Sequence, residues 1–292
     1  MRYFFLVFFL CTNLYKASAQ NISKMDVWQD SLVDLGTAMY HNDGEAERLE
    51  NNFSFIKTLV SSLKEPNSYY YTFEKLEMIS ILESDDKSFR IFSWNIPLHD
   101  GSYLYYGAIQ FRLGSLKLVP LLDKTFELSH PAEDIVPANK WYGAQYYDII
   151  PLSKGKYALL GWKGHHAEYT KKVIEILTVS SSNELTFGDH IFSDNSKLSR
   201  KIFSYTKQAT MHLKFNKTDK RIEFDHIVPI NNSFKDNYKY YAPDLSYDGY
   251  KLTNSKLKFE ENIQINNSKS LKDEEYIDPK KGTTKLKSGI VN

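Results

Sequence analysis

The chain has 292 residues, with 37 Lys and Arg against 36 Asp and Glu, and a single cysteine. Nearly balanced charge gives no electrostatic basis for nucleic-acid binding, and one cysteine excludes a disulfide framework or a multi-cysteine metal site. The 21 Tyr and 18 Phe are typical of a folded, β-rich protein rather than a disordered one.

Residues 1–19 have the pattern of a secretory signal peptide. Arg2 supplies a positive charge, Phe4 to Leu10 form an apolar stretch, and Ala17-Ser18-Ala19 is a small-residue cleavage site. The apolar stretch is much shorter than the roughly 20 residues that span a bilayer, and no later stretch reaches that length. We therefore expect an exported protein, periplasmic or extracellular, without a transmembrane segment in the mature chain.

Cleavage after Ala19 would remove Cys11 together with Arg2 and Lys16. The mature chain would then have no cysteine nucleophile, no thiolate metal ligand and a formal charge of −1. No nucleic-acid partner is expected for such a chain.

Residues 20–67 are predicted to form a helical hairpin that packs on the rest of the chain. The segment Asn42-Asp43-Gly44 separates two helical patterns, and Glu65-Pro66-Asn67 should end the second. The apolar residues that recur at helical spacing are Trp28, Leu32, Leu35 and Met39, then Leu49, Phe53, Ile56, Val60 and Leu63.

Residues 68–265 are predicted to form an all-β domain, followed by a polar tail over residues 266–292. Short β-branched and aromatic segments alternate with turns, without a helical crossover between them. This pattern predicts a mainly β fold of antiparallel meanders, as a sandwich, an open barrel or an irregular propeller. The clearest strands are Phe89 to Trp94, Tyr103 to Phe111, Leu116 to Leu122, Trp141 to Ile150, Tyr157 to Trp162, Val173 to Val179, Leu185 to Phe192, Lys201 to Tyr205, Thr210 to Phe215, Arg221 to Val228 and Tyr250 to Phe259.

Several segments together resemble a family of exported Bacteroidota-type proteins of unknown function. They are FRIFSWN from Phe89, WYGAQYYDIIP from Trp141, YALLGWKG from Tyr157, FDHIVP from Phe224 and YAPDLSYDGY from Tyr241. The resemblance implies export but supplies no catalytic residues.

The segment GWKGHHAEYTKK, from Gly161, contains the first candidate site. If the strand continued through it, His166 and Glu168 would lie on one face, as a general acid and base or as two metal ligands. The alternative is a polar turn at a hairpin end, where Gly161 and Gly164 bracket charged residues, and this interpretation is favoured.

The segment PDLSYDGY, from Pro243, contains a candidate calcium site. Asp244, Ser246 and Asp248 alternate before Gly249, as in the first half of a calcium loop. Ser255 stands where such a loop needs a bidentate glutamate, so a tight Asp-Gly turn entering a strand is the favoured interpretation.

Asp225 and His226 are neighbours that could suggest catalysis. Adjacent strand residues face opposite sides, so they cannot share a cleft unless a bulge reorients them. His226 should share the face of Phe224 and lie in the interior.

The pairs Tyr105-Tyr106 and Tyr146-Tyr147 suggest a binding surface, because one member of each pair must face away from the other. Tyr105, Tyr146 and Trp162 are the predicted ligand-binding residues, since exposed aromatic faces stack on sugars or peptides.

Three functions remain open from the sequence. The first is a non-catalytic protein that binds a small molecule, a glycan or an envelope protein, with no cofactor except an optional calcium ion. The second is a hydrolase that uses Asp, Glu and His side chains, with or without a metal. The sequence has no nucleophile-elbow, zinc-protease, phosphate-loop or dinucleotide motif that would support it. The third is a purely structural envelope component.

Overall fold

The computed structural model describes residues 21–265. Over this range the protein is mainly β, with two helices at its start and three antiparallel sheets that are not closed into a barrel. The predicted fold class is therefore confirmed. The predicted signal peptide, residues 1–19, and the predicted tail, residues 266–292, lie outside the described residues.

The two helices form the predicted hairpin. Helix α1 (Ile22–His41) begins where the Asn21 side chain accepts a hydrogen bond from the backbone N–H of Lys24 at 3.1 Å, and helix α2 (Glu45–Leu63) begins after Gly44. Neither of these described helices is long and apolar enough to cross a membrane.

The buried face of α2 differs from the predicted stripe. Phe53 was predicted to be buried and is 62 % exposed, whereas Asn52 is fully buried. Asn52 is tolerated there because its Oδ1 accepts a hydrogen bond from Trp94 Nε1 at 2.8 Å. A polar residue thus takes the place that periodicity assigned to a phenylalanine.

The strands form three sheets in chain order. The first sheet has the order β1-β2-β3-β4, with β1 (Ser80–Glu83), β2 (Phe89–Pro97), β3 (Tyr103–Phe111) and β4 (Lys117–Leu122). The middle sheet has the order β5-β9-β8-β7-β6, with β10 also paired to β8; its strands are β5 (Val136–Pro137), β6 (Gln145–Ser153), β7 (Lys156–Gly164), β8 (Tyr169–Val179), β9 (Leu185–Phe187) and β10 (Lys201–Thr206). The third sheet has the order β11-β12-β13-β14, with β11 (Leu213–Asn216), β12 (Arg221–Pro229), β13 (Tyr241–Thr253) and β14 (Lys256–Glu260).

The middle sheet is buried on both faces. Along β7, Tyr157 and Leu159 pack in the same core as residues of the first sheet, and Ala158 and Leu160 pack in the core shared with the third sheet. The helices cover the other face of the first sheet. The layers therefore follow the chain order.

Most predicted strands differ from the observed ones by a few residues at their ends, and in two of them a turn interrupts the predicted segment. The segment Tyr250 to Phe259 is a hairpin rather than one strand, because Asn254 and Ser255 take positive φ values of 48° and 61° in a two-residue turn. The strand that begins at Leu185 ends at Phe187, where Gly188 has a φ of 96°.

Candidate functional site

The end of the β7–β8 hairpin carries different side chains on its two faces. Trp162 lies opposite Lys172, and Lys163 lies opposite Lys171. Directly opposed residues share one face of a sheet, and adjacent residues take opposite faces. The hairpin end therefore presents a Trp–Lys pair on one face and a Lys–Lys pair on the other.

The Trp–Lys face lines a cavity of about 320 Å³. We call it the aromatic groove and define it by Tyr103, Trp162, His166, Lys172, Tyr205 and Lys207. The rings of Tyr103 and Trp162 meet edge to face, with centroids 5.0 Å apart. This arrangement fixes both rings at the cavity wall.

The polar groups of the aromatic groove are mostly donors. Lys172 Nζ donates to the Met211 carbonyl at 2.6 Å, and burial lowers the pKa of Lys172. Within residues 21–265 the buried Thr170 hydroxyl, which lines the groove, has no hydrogen-bond partner. No carboxylate is among the described residues that line the groove. Its electrostatic character is therefore positive.

His166 and Glu168 do not form the predicted acid–base pair. Strand β7 ends at Gly164, so both residues lie in the hairpin loop and strand alternation does not apply to them. His166 Nδ1 accepts the backbone N–H of Glu168 at 3.3 Å, while the Glu168 carboxylate accepts from Lys239 at 3.1 Å. The polar-turn interpretation fits this geometry, although His166 does line the aromatic groove.

Of the three aromatic residues predicted to bind a ligand, only Trp162 lines the aromatic groove. Tyr146 is completely buried, and its hydroxyl accepts a hydrogen bond from Trp141 Nε1 at 2.7 Å. Tyr105 is also buried, donates to the Gly164 carbonyl at 3.2 Å and packs in the core between the first and middle sheets. Tyr105 and Tyr146 belong to the core because the face of the strand from which each projects is covered by another layer. In the pair Tyr146-Tyr147, Tyr147 is the exposed member.

The three residues of the candidate calcium loop do not converge, and Asp248 and Gly249 continue strand β13 instead of forming the favoured tight turn. Asp244 Oδ1 accepts from the Ser246 N–H at 3.0 Å and from its hydroxyl at 2.6 Å, whereas Asp248 contacts other groups. Leu245 has a φ of 73°, which breaks the strand alternation that would place the three side chains together. No group of three or more His, Cys, Asp or Glu suited to a metal occurs within residues 21–265.

A histidine–carboxylate pair that the sequence did not predict joins β12 and β13. His226 Nδ1 lies 2.7 Å from Asp248 Oδ2, and the other oxygen of the buried Asp248 accepts from the Asn262 N–H at 3.0 Å. His226 was expected in the interior, but the register shifts between Asp225 and Ile227, and its side chain is 38 % exposed. The pair opens onto a cavity of about 290 Å³.

No local motif could have revealed this pair, because His226 and Asp248 are 22 positions apart and are brought together only by strand register.

The fold and these cavities define an antiparallel β protein with a positively charged aromatic groove and a separate His–Asp pair. Comparisons with protein-family models, with curated proteins and with solved structures find no match to this chain.

Proposed function

We propose that the protein is an exported, non-catalytic binding protein whose aromatic groove takes an acidic glycan. The observation that carries the proposal is the grouping of two aromatic rings, Tyr103 and Trp162, with two lysines, Lys172 and Lys207, in a groove whose described lining has no carboxylate.

The chemistry of this grouping matches an acidic sugar. A sugar ring presents an apolar C–H face to an aromatic side chain, and its carboxylate accepts charge-assisted hydrogen bonds from ammonium groups. The Thr170 hydroxyl, which has no partner in the part of the chain that is described, offers a further polar contact. The groove volume of about 320 Å³ lies at the small end of ligand sites, which suits one or two sugar rings.

Trp162→Ala should weaken binding of an oligogalacturonate by about tenfold or more, since it removes the stacking surface. Isothermal titration calorimetry of the mature protein would measure the affinity, with neutral maltooligosaccharides as the comparison ligand. Phe53→Ala, which removes an exposed ring on α2, is the matched control. The proposal fails if Trp162→Ala binds as tightly as the wild type, or if the neutral and acidic sugars bind equally.

A hydrolase is the second candidate function, and the His226–Asp248 pair favours it. A carboxylate that hydrogen-bonds Nδ1 orients the imidazole and leaves Nε2 able to accept a proton from water. Water would then be the nucleophile, with the proton passing to His226 and no covalent intermediate on the protein.

His226→Gln should lower hydrolysis of p-nitrophenyl esters or glycosides by about 100-fold or more if this pair is a general base. His190→Gln provides a control at an exposed histidine. Equal rates in both variants, measured by release of p-nitrophenolate, would exclude the pair from catalysis.

A further inference from the structure

The Lys–Lys face of the hairpin end lines a second, larger cavity of about 750 Å³. We call it the lysine cavity and define it by Lys163, Lys171, Leu104, Tyr105, Leu122 and Phe126. Strands β3 and β4 supply its opposite wall. It lies on the other side of the strand pair from Trp162, although Tyr103 and Gly164 line both cavities.

Lys163 is a buried cation without a carboxylate in hydrogen-bond contact. Its Nζ donates to the carbonyls of Tyr142 and Gly143, at 2.7 and 2.6 Å, and to Thr125 Oγ1 at 2.9 Å. The Asp123 carboxylate is 4.0 Å away. All three donors of the ammonium group are therefore used, and Lys163 supplies charge rather than a free hydrogen bond.

Lys171 has no hydrogen bond or ion pair within residues 21–265, and its Nζ lies 5.8 Å from the centre of the Tyr169 ring. Burial lowers the pKa of Lys171. Like charges directly opposite each other on adjacent strands repel, so the pairing of Lys171 with Lys163 is unfavourable without a neutralising group. An anion at Lys171 would relieve this repulsion.

The cationic side chains that line the lysine cavity outnumber the carboxylates available to them by one. Lys163 and Lys171 face one carboxylate, Asp123, while Lys124 already pairs with Glu127 at 2.8 Å. Burial, together with Lys171 and Lys163, lowers the pKa of the adjacent His165 to about 4, so this histidine is neutral at pH 7. A ligand with a single negative charge would balance the site.

The rim of the lysine cavity is apolar and open. Leu104 and Leu122 are exposed, and Phe126 is 81 % exposed. A ring and two leucines at the mouth of a cationic cavity form a surface that favours a hydrophobic chain.

We infer that the lysine cavity binds an amphiphilic monoanion, a carboxylate with an apolar chain. Its carboxylate would accept a hydrogen bond from Lys171 and would be attracted electrostatically by the positive charge of Lys163. Its apolar chain would pack on Leu104, Leu122 and Phe126. The inference does not rest on the glycan proposed for the aromatic groove.

Calorimetric titration of the mature protein with decanoate, decan-1-ol and decyltrimethylammonium tests the inference. Decanoate should bind about 10-fold to 100-fold more tightly than the alcohol, because it adds a charge-assisted hydrogen bond, and the cation should not bind. Lys171→Gln should remove this preference for decanoate over the alcohol. Lys154→Gln, at an exposed turn, should preserve it.

Comparable binding of all three probes, or no binding of decanoate, would overturn the inference from the wild-type protein alone. Unchanged decanoate affinity in Lys171→Gln would overturn it as well. Trp162→Ala should keep decanoate binding while losing the acidic glycan; loss of both ligands would place decanoate in the aromatic groove and refute a separate site.

Discussion

Glu175→Ala should lower the free energy of unfolding by about 3–5 kcal/mol, because it leaves a buried guanidinium without its counter-ion. Glu175 on β8 and Arg200 just before β10 are both fully buried, and Arg200 Nε donates to Glu175 Oε2 at 2.8 Å. Arg200 also donates to the carbonyls of Pro131 and Asp134, so the same guanidinium holds the segment that precedes β5. Removal of the Glu175 carboxylate therefore leaves the buried Arg200 guanidinium with a positive charge that the backbone carbonyls alone cannot neutralise.

Urea unfolding followed by tryptophan fluorescence would measure this loss. Glu168→Ala is the matched control, since it breaks an exposed ion pair with Lys239 and should change stability little. Glu175→Gln, which keeps a hydrogen-bond acceptor but removes the charge, should fall between the two. A loss below about 1 kcal/mol in Glu175→Ala would show that the pair does not hold the middle sheet.

The free energy of unfolding should rise by about 2–3 kcal/mol between pH 8 and pH 10 through Lys163 alone. Burial lowers the pKa of Lys163 to about 8, with a smaller lowering from Lys171 and an opposing effect of Asp123. The unfolded lysine keeps its proton up to about pH 10.4. In this window the unfolded state binds more protons than the folded state, so raising the pH favours folding.

Unfolding curves of the wild type and Lys163→Met at pH 7.5, 9 and 9.8 would test the sign and size of this effect. With rising pH the wild type should gain stability relative to Lys163→Met, whereas Lys154→Met should follow the wild type. Measurements stay below pH 10 because burial raises the pKa of Tyr142 and Tyr146, which makes folding less favourable once unfolded tyrosines ionise. An identical rise in Lys163→Met would contradict the assignment.

The elements of the fold were predictable wherever the signal is local. Tyr103 to Phe111 was predicted with the bounds that β3 has, because alternating aromatic and aliphatic residues lie between two turns. The break at Asn42-Asp43-Gly44 was also predictable, because these turn-forming residues interrupt the helical spacing between the two helices. Leu245 was missed because leucine carries no turn signal, yet it takes a positive φ within β13.

The candidate sites were less predictable because they depend on which strands are paired and in which register. Trp162 was identified from its residue type, but nothing in the sequence placed Lys171 opposite Lys163 or Asp248 beside His226. The burial of Tyr105 and Tyr146 likewise follows from the layer above them. Alternation says that two faces differ, but it does not say which face is covered.

Because β7 and β8 are packed on both faces along their length, a substitution there would disturb one core or the other, depending on which face the residue takes. Beyond Gly161 the same hairpin carries Trp162 and Lys163 on β7, opposite Lys172 and Lys171 on β8. If both proposed sites are correct, one hairpin tip supplies a lysine to each of them, so a substitution there can change the ligand preference of either site.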